Sequence, residues 1–323
     1  MLFVIFSNLV QDLIQKGMVL DTEIGIPLLR TSTVDKAVQD LLVLFILPPG
    51  SSPVGWTDED DGGKRLNVVQ EFATAWIPSV IYPNLGKPFE FNDRTQREWT
   101  VYSFEQTVKE LTEVLSYLKG QWYPLENIVL STSSLGIIPT TKLLADHPDL
   151  FNKYGYPAVM VGSPISDLAY VLQKQIAYQL GGKKLLNHPG YLGEACIRWI
   201  SRTKFFAAQV AKAYETANGL TLAPDFIDEI SNPQRRNTWI ATLIELSDSH
   251  EFPVYFYGNQ GDVYRRLTDT ASLNTDIPLL FEDTDLNDPF SHILTSASQL
   301  LARAWTLDFI REVLDDKSNW WEE

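Results

Sequence analysis

Cysteine is almost missing from this chain: Cys196 is the only one among 323 residues. That excludes an intramolecular disulfide and the cysteine-rich zinc sites, and it fits a reducing, cytoplasmic compartment. Basic residues are also few, 26 Lys and Arg against 41 Asp and Glu, which leaves a net charge of −15. No run of Lys and Arg offers a phosphate footprint, so nucleic acid is not an expected partner, nor is anionic lipid. No apolar run approaches the ~20 residues needed to cross a bilayer, so no membrane span is expected. The opening stretch MLFVIFSNLVQDLIQKG has no positive charge ahead of its apolar run and no small-residue cleavage pattern after it. It reads as an amphipathic segment packed on the domain, with Met18 as a second candidate start. No G-x-G-x-x-G follows an early strand and no metal-ligand cluster is visible, so neither a cofactor nor a metal is expected.

What is present is apolar: 45% of residues are hydrophobic and 12% aromatic, enough for a sizeable core. LLVLFILPPG (41–50), PSVIYPNLG (78–86), NIVL (127–130), YPAVMVGSPISD (156–167), EFPVYFYGNQGD (251–262) and DIPLLFEDTD (276–285) hold near-continuous apolar runs that stop at polar, Pro or Gly residues. Strands buried on both faces look like this. MVLDTEIGIPLLRTS (18–32) reads as a strand pair turning near Gly25. Helical spacing fills several of the gaps: LNVVQEFATAW (66–76), SFEQTVKELTEVLSYLKG (103–120, Ser103 as N-cap), IIPTTKLLADHPDLF (137–151) and the stretch from Ser291 to Leu314. Alternating strands and helices predict an α/β fold: a mostly parallel central sheet with helices on both faces. Residues 165–250 break the rhythm and are mostly helical. The expected organisation is therefore a core in two parts, 1–164 and 251–323, with a helical cap insertion, 165–250, over the carboxyl ends of the strands.

The strand NIVL runs into four small hydroxyl residues, Ser131-Thr132-Ser133-Ser134, and leaves through Leu135-Gly136 into a helix. Strand, small-residue turn and helix form the setting of a nucleophile elbow. Laid on Thr132-Ser133-Ser134-Leu135-Gly136, the G-x-S-x-G pattern puts Ser134 at the centre and threonine where the first glycine is usual. The competing reading is a serine-rich helix N-cap.

A serine hydroxyl needs a histidine to take its proton, and the histidine needs a carboxylate to fix its tautomer. Of the four histidines, His147 lies at the far end of the following helix, His188 in the insertion, and His250 ahead of a strand. Each reads as a surface or packing residue. His292 follows the last strand, where the histidine of such a triad belongs. Asp262, after the strand VYFYGN, is the expected acid; Asp167 is its rival, and Asp285 and Asp288 are weaker ones. An oxyanion hole would combine the N–H of Leu135 with one from the loop Pro48-Pro49-Gly50-Ser51-Ser52, with Ser51 or Ser52 as donor because the prolines have no N–H.

With these residues the chain resembles an α/β-hydrolase. Within that superfamily it is similar to the acyl-transferase or thioesterase family of luminous bacteria, which releases myristic acid from acyl carrier protein. SVIYPNL, PAVMVGSPISDLAYVLQKQIAY and FPVYFYGNQGDVYRR carry the likeness. The acidic loop from Thr57 to Asp61 and the length of the cap depart from it. The resemblance implies an acyl substrate, on acyl carrier protein or CoA. Tyr170, Leu172, Tyr178, Leu180, Trp199, Phe205 and Phe206 could roof an acyl tunnel or form the cap's own core. Arg198, Arg202, Arg265 and Arg266 could meet an acidic carrier or a CoA phosphate, or be solvated. A carboxylesterase or lipase, and a catalytically silent binding protein of the same fold, are the alternatives.

Overall fold

The computed structural model describes residues 18–31, 41–48, 77–84, 87–88, 100–121, 124–152, 155–187, 203–218, 221–232, 237–266, 278–281, 290–292 and 308–310. The N-terminal segment, the helix expected at 66–76, His188, Trp199, Arg198, Arg202, Asp285, Asp288 and Ser51 with Ser52 lie outside the described residues.

The described residues open with an antiparallel pair, β1 (Met18–Asp21) and β2 (Leu28–Thr31), turning through Gly25 at φ 74°. Then come β3 (Leu42–Ile46), β4 (Ser79–Tyr82), β5 (Lys87–Pro88), β6 (Thr100–Tyr102), helix α1 (Phe104–Gly120) and β7 (Ile128–Ser133). A 3-10 turn (Ser134–Gly136) leads into α2 (Ile137–Asp146), followed by α3 (Pro148–Asn152) and β8 (Ala158–Gly162). The next stretch holds α4 (Leu168–Asn187), α5 (Lys204–Asn218), β9 (Thr221–Leu222), α6 (Pro224–Ser231) and α7 (Trp239–His250). The described strands end with β10 (Val254–Asn259) and β11 (Pro278–Phe281).

Eight of these strands form one sheet in the order β1-β2-β4-β3-β7-β8-β10-β11. From β4 to β11 every pairing is parallel; β2 is antiparallel to both its neighbours. The apolar runs are continuous because both faces of the sheet are covered. Along β3, Leu42, Leu44 and Ile46 enter the hydrophobic cluster that also holds Leu111 and Leu115 of α1 and Ile137 and Ile138 of α2. Val43, Phe45 and Leu47 point the other way, into a cluster with Met160, Tyr255 and Ile310 of the helical stretch 308–310. Each such fully buried side chain contributes about 1.5–3 kcal/mol relative to exposure.

Two local expectations change. The single helix expected over 137–151 is two, broken at His147, whose backbone (φ −122°, ψ 50°) has left the helix. Pro148 is the cause: its ring disfavours helical geometry in the residue before it. A small second sheet, β5-β6-β9, was not expected. It ties the stretch after α5 to the start of α1. Ala223 N donates to Tyr102 O at 2.8 Å, Phe226 stacks on Phe104, and Asp225 Oδ2 accepts from Ser103 Oγ and Glu105 N. The last helix of the expected cap, α7, packs against α2.

Candidate active site

The parallel strands bring their carboxyl ends to one edge of the sheet, where Ser134, Asp262 and His292, which follow β7, β10 and β11 in the chain, meet. At the head of β7 the chain turns through Ser134 with φ 49°, a left-handed conformation that costs a serine roughly 1–3 kcal/mol. The turn is held from beneath. Thr132, fully buried, donates its hydroxyl to the Ile46 carbonyl of β3 at 3.0 Å. A β-carbon on Gly136 would lie 2.0 Å from that same hydroxyl oxygen, so the last position of the motif has room only for glycine. Threonine at the first position is thus a working part of this elbow, binding it to the neighbouring strand.

His292 Nδ1 lies 2.8 Å from Asp262 Oδ2, and His292 Nε2 lies 2.8 Å from Ser134 Oγ. An ionised carboxylate can only accept, so Nδ1 carries the proton and donates it to Asp262. Nε2 is then left to accept from the serine hydroxyl. The Asp262 side chain is entirely shielded from solvent and that of His292 is 15% exposed.

Each member is fixed by its own loop. Asp262 Oδ1 accepts the N–H of Tyr264 at 2.9 Å, and Asp262 N donates to Asn259 O at 3.2 Å, which closes the turn after β10. Val263 N donates to Phe290 O at 3.1 Å, so the loop of the acid holds the loop of the histidine. Ser291, just before His292, takes a left-handed conformation at φ 53°.

The rival acid is engaged elsewhere. Asp167 Oδ2 pairs with Arg266 Nη2 at 2.6 Å, while Oδ1 accepts from Tyr170 N at the start of α4. Its neighbour Ser166 also grips the acid's loop: its N–H donates to Tyr264 O, and its Oγ accepts from Arg266 N.

No protein-family model matches the sequence, and no curated protein matches it by sequence. The structure, by contrast, has many likenesses. A candidate lipase from Acinetobacter baumannii AYE aligns over 96% of this chain and 96% of its own, with TM-score 0.54 and 13% identity. With the strand order above, that decides the architecture. The chain has the α/β-hydrolase fold. A carboxylesterase from the thaumarchaeon Nitrososphaera gargenis also aligns, at TM-score 0.48 and 12% identity, over 93% of this chain and 99% of its own. An esterase/lipase from an uncultured bacterium aligns at TM-score 0.44 and 12% identity, over 92% and 84%.

In an α/β-hydrolase the first oxyanion donor is the N–H after the nucleophile. The donor expected in this chain, the N–H of Leu135, lies in the 3-10 turn that opens the helix, where an N–H has no carbonyl one turn earlier to bond. The loop carrying Ser51 lies outside the described residues. Its stem is anchored, however: Asn84, buried and left-handed at φ 46°, donates Nδ2 to Leu47 O at 3.1 Å.

Arg265 and Arg266, open as contacts for a carrier or CoA phosphate, have work inside the fold. Arg265 is buried and donates to the carbonyls of Asn259 and Gln260. Arg266, besides its pair with Asp167, lies over the Tyr170 ring at 4.7 Å. Of the proposed roof aromatics, Tyr178 meets Phe290 edge-on, and Phe205 is 77% exposed. Sequence reasoning missed Tyr264, which meets the His292 ring, and Phe290, which stacks on Tyr264, because a lone aromatic leaves no motif. No helix among the described residues is long and apolar enough to cross a membrane.

Proposed function

We propose that the chain is a serine acyl hydrolase or acyltransferase that works through an acyl-enzyme on Ser134. One observation carries this reading: an unbroken hydrogen-bonded path from Asp262 through His292 to a serine raised on a left-handed strand-to-helix bend. Ser134 Oγ attacks the acyl carbonyl carbon while His292 Nε2 takes its proton. Asp262 stays ionised and holds the imidazolium that forms. The negative charge on the tetrahedral oxygen falls to the N–H of Leu135 and to a second donor from the loop after β3, with Ser51 in that role. A single such donor is worth about 10²–10³ in rate. When the intermediate collapses, the carbonyl carbon–leaving group bond breaks and His292 returns its proton to the leaving thiol or alcohol. Water or another acceptor, deprotonated by His292, then attacks the acyl-enzyme and frees Ser134.

The preferred substrate in this reading is an acyl thioester, on acyl carrier protein or CoA, as the resemblance to the acyl-transferase family of luminous bacteria implies. The residues 165–250 serve as the cap over the acyl chain, and the single cysteine suits a cytoplasmic setting. Oxygen-ester hydrolysis is the second reading, supported by the likeness to a candidate lipase. A matched series of acyl-CoA thioesters and p-nitrophenyl esters of equal chain length tests the choice. A kcat/KM at least tenfold higher on the thioester supports the first reading, and the reverse preference supports the second. A silent protein of this fold would turn over neither.

A further inference from the structure

We infer that Tyr264 is a positioning residue that couples helix α4 to the triad histidine through Gln175; this rests on reading Ser134, His292 and Asp262 as the active site.

Tyr264 makes four contacts that bear on the site. Its backbone N–H donates to Asp262 Oδ1 at 2.9 Å, on the carboxylate whose other oxygen holds His292. Its ring meets the His292 imidazole edge to face, with centroids 5.0 Å apart. Its hydroxyl oxygen accepts from Gln175 Nε2 of α4 at 3.2 Å. The ring also stacks on Phe290, two residues before His292, again at 5.0 Å. Only 7% of Tyr264 is exposed, so the ring has little room to swing.

Helix α4 is built to deliver this contact. Gln175 and Tyr178 are three residues apart and share a face. Gln175 reaches Tyr264, and Tyr178 reaches Phe290 at 5.2 Å, so one helical face touches both loops of the acid–base pair. The root of the helix is fastened to the same loop through Asp167–Arg266 and Ser166–Tyr264. Beyond this face the helical geometry breaks at Gly181 and Gly182. The segment from Leu168 to Leu180 therefore bears on the acid's loop separately from the turns beyond the two glycines.

The consequence is mechanical. The bonds to Asp262 and Ser134 hold the two nitrogens of the imidazole but leave the ring able to rock about the line between them. Tyr264, backed by Phe290, limits the rocking, and Gln175 sets where Tyr264 stands. A displacement of about 1 Å at a reacting group can cost on the order of 10²-fold in rate.

The test compares Tyr264→Phe, Gln175→Leu and their double variant with wild type. The readouts are kcat and KM on the best substrate of the ester series, the rate at which a fluorophosphonate labels Ser134, and the thermal midpoint. Each single change removes the same bond, so each should lower kcat and the labelling rate by a similar factor, about fivefold. KM should stay within about twofold, and the double variant should be no slower than either single one. A residue that merely props up the fold would lower the thermal midpoint without this split or this non-additivity. Wild-type labelling with both singles labelling at the wild-type rate would overturn the coupling and leave the active-site reading standing, as would effects that add in the double variant. A wild type that does not label at all would overturn the active-site reading, and the coupling with it.

Discussion

Thr132 and Gly136 divide one small space between them: the threonine hydroxyl occupies the spot beside which a β-carbon on Gly136 would fall, at 2.0 Å. The same hydroxyl donates to Ile46 O, so swinging aside gives up a buried hydrogen bond. Gly136→Ala should therefore destabilise the protein by about 1–3 kcal/mol, the usual cost of overpacking. Thr132→Ala should cost about 1–2 kcal/mol for the lost bond. The double variant should lose less than the sum, because removing the threonine hydroxyl clears the space that the new methyl group needs. Urea denaturation of the four proteins measures the coupling.

Ser134 stands in a left-handed conformation that suits glycine better than any side chain. Ser134→Gly and Ser134→Ala both remove the bond to His292, so their difference isolates the backbone. The glycine variant should be the more stable by about 1 kcal/mol, the reverse of the order in an ordinary helix. Equal stability, read from thermal or urea melts, would mean that the bend carries no strain.

Two buried acids lie near the site with different tasks. Asp262→Asn should lower kcat by roughly 10⁴-fold, because an amide next to Nδ1 no longer enforces the tautomer that leaves Nε2 free to accept. Asp167→Asn loses the pair with Arg266 and should lower stability by about 1 kcal/mol while keeping most of the activity. Steady-state kinetics of the two variants separates the roles.

The phenol of Tyr82, far from the triad in sequence, donates to Glu110 Oε2 at 2.6 Å. Burial above all, and next the Glu110 carboxylate, hold its pKa well above the ordinary value of 10.0. Because the folded value is raised, the unfolded chain gives up this proton first as pH rises. The stability tied to Tyr82 is thus complete below about pH 10 and is lost as the pH climbs past it. Denaturation midpoints from about pH 8 to pH 11 should fall less steeply for Tyr82→Phe than for wild type. Tyr117, raised by burial and by Asp21 and Glu23, keeps part of the slope in both.

The sheet was legible because its central strands are buried on both faces: runs such as Leu42 to Ile46 must be apolar throughout. That Ser134, Asp262 and His292 come together was legible for a related reason. A parallel sheet sends its loops to one edge, so residues far apart in sequence can be ordered by which strand they follow. The break at His147 was written in Pro148 but is masked by helical spacing on either side of it. Strands of two residues, such as β5 and β9, fall below any periodicity. The pairing of Arg266 with Asp167 and the contacts of Tyr264 depend on how two loops approach each other, and no local pattern encodes that.

The central claim is that Ser134 is an activated nucleophile. Intact-protein mass spectrometry after incubation with a fluorophosphonate, on wild type and Ser134→Ala side by side, tests it most directly. The account predicts one phosphonyl adduct on wild type, mapped to the peptide that carries Ser134, and none on the variant. An unmodified wild type, or an adduct that persists in Ser134→Ala, would contradict it.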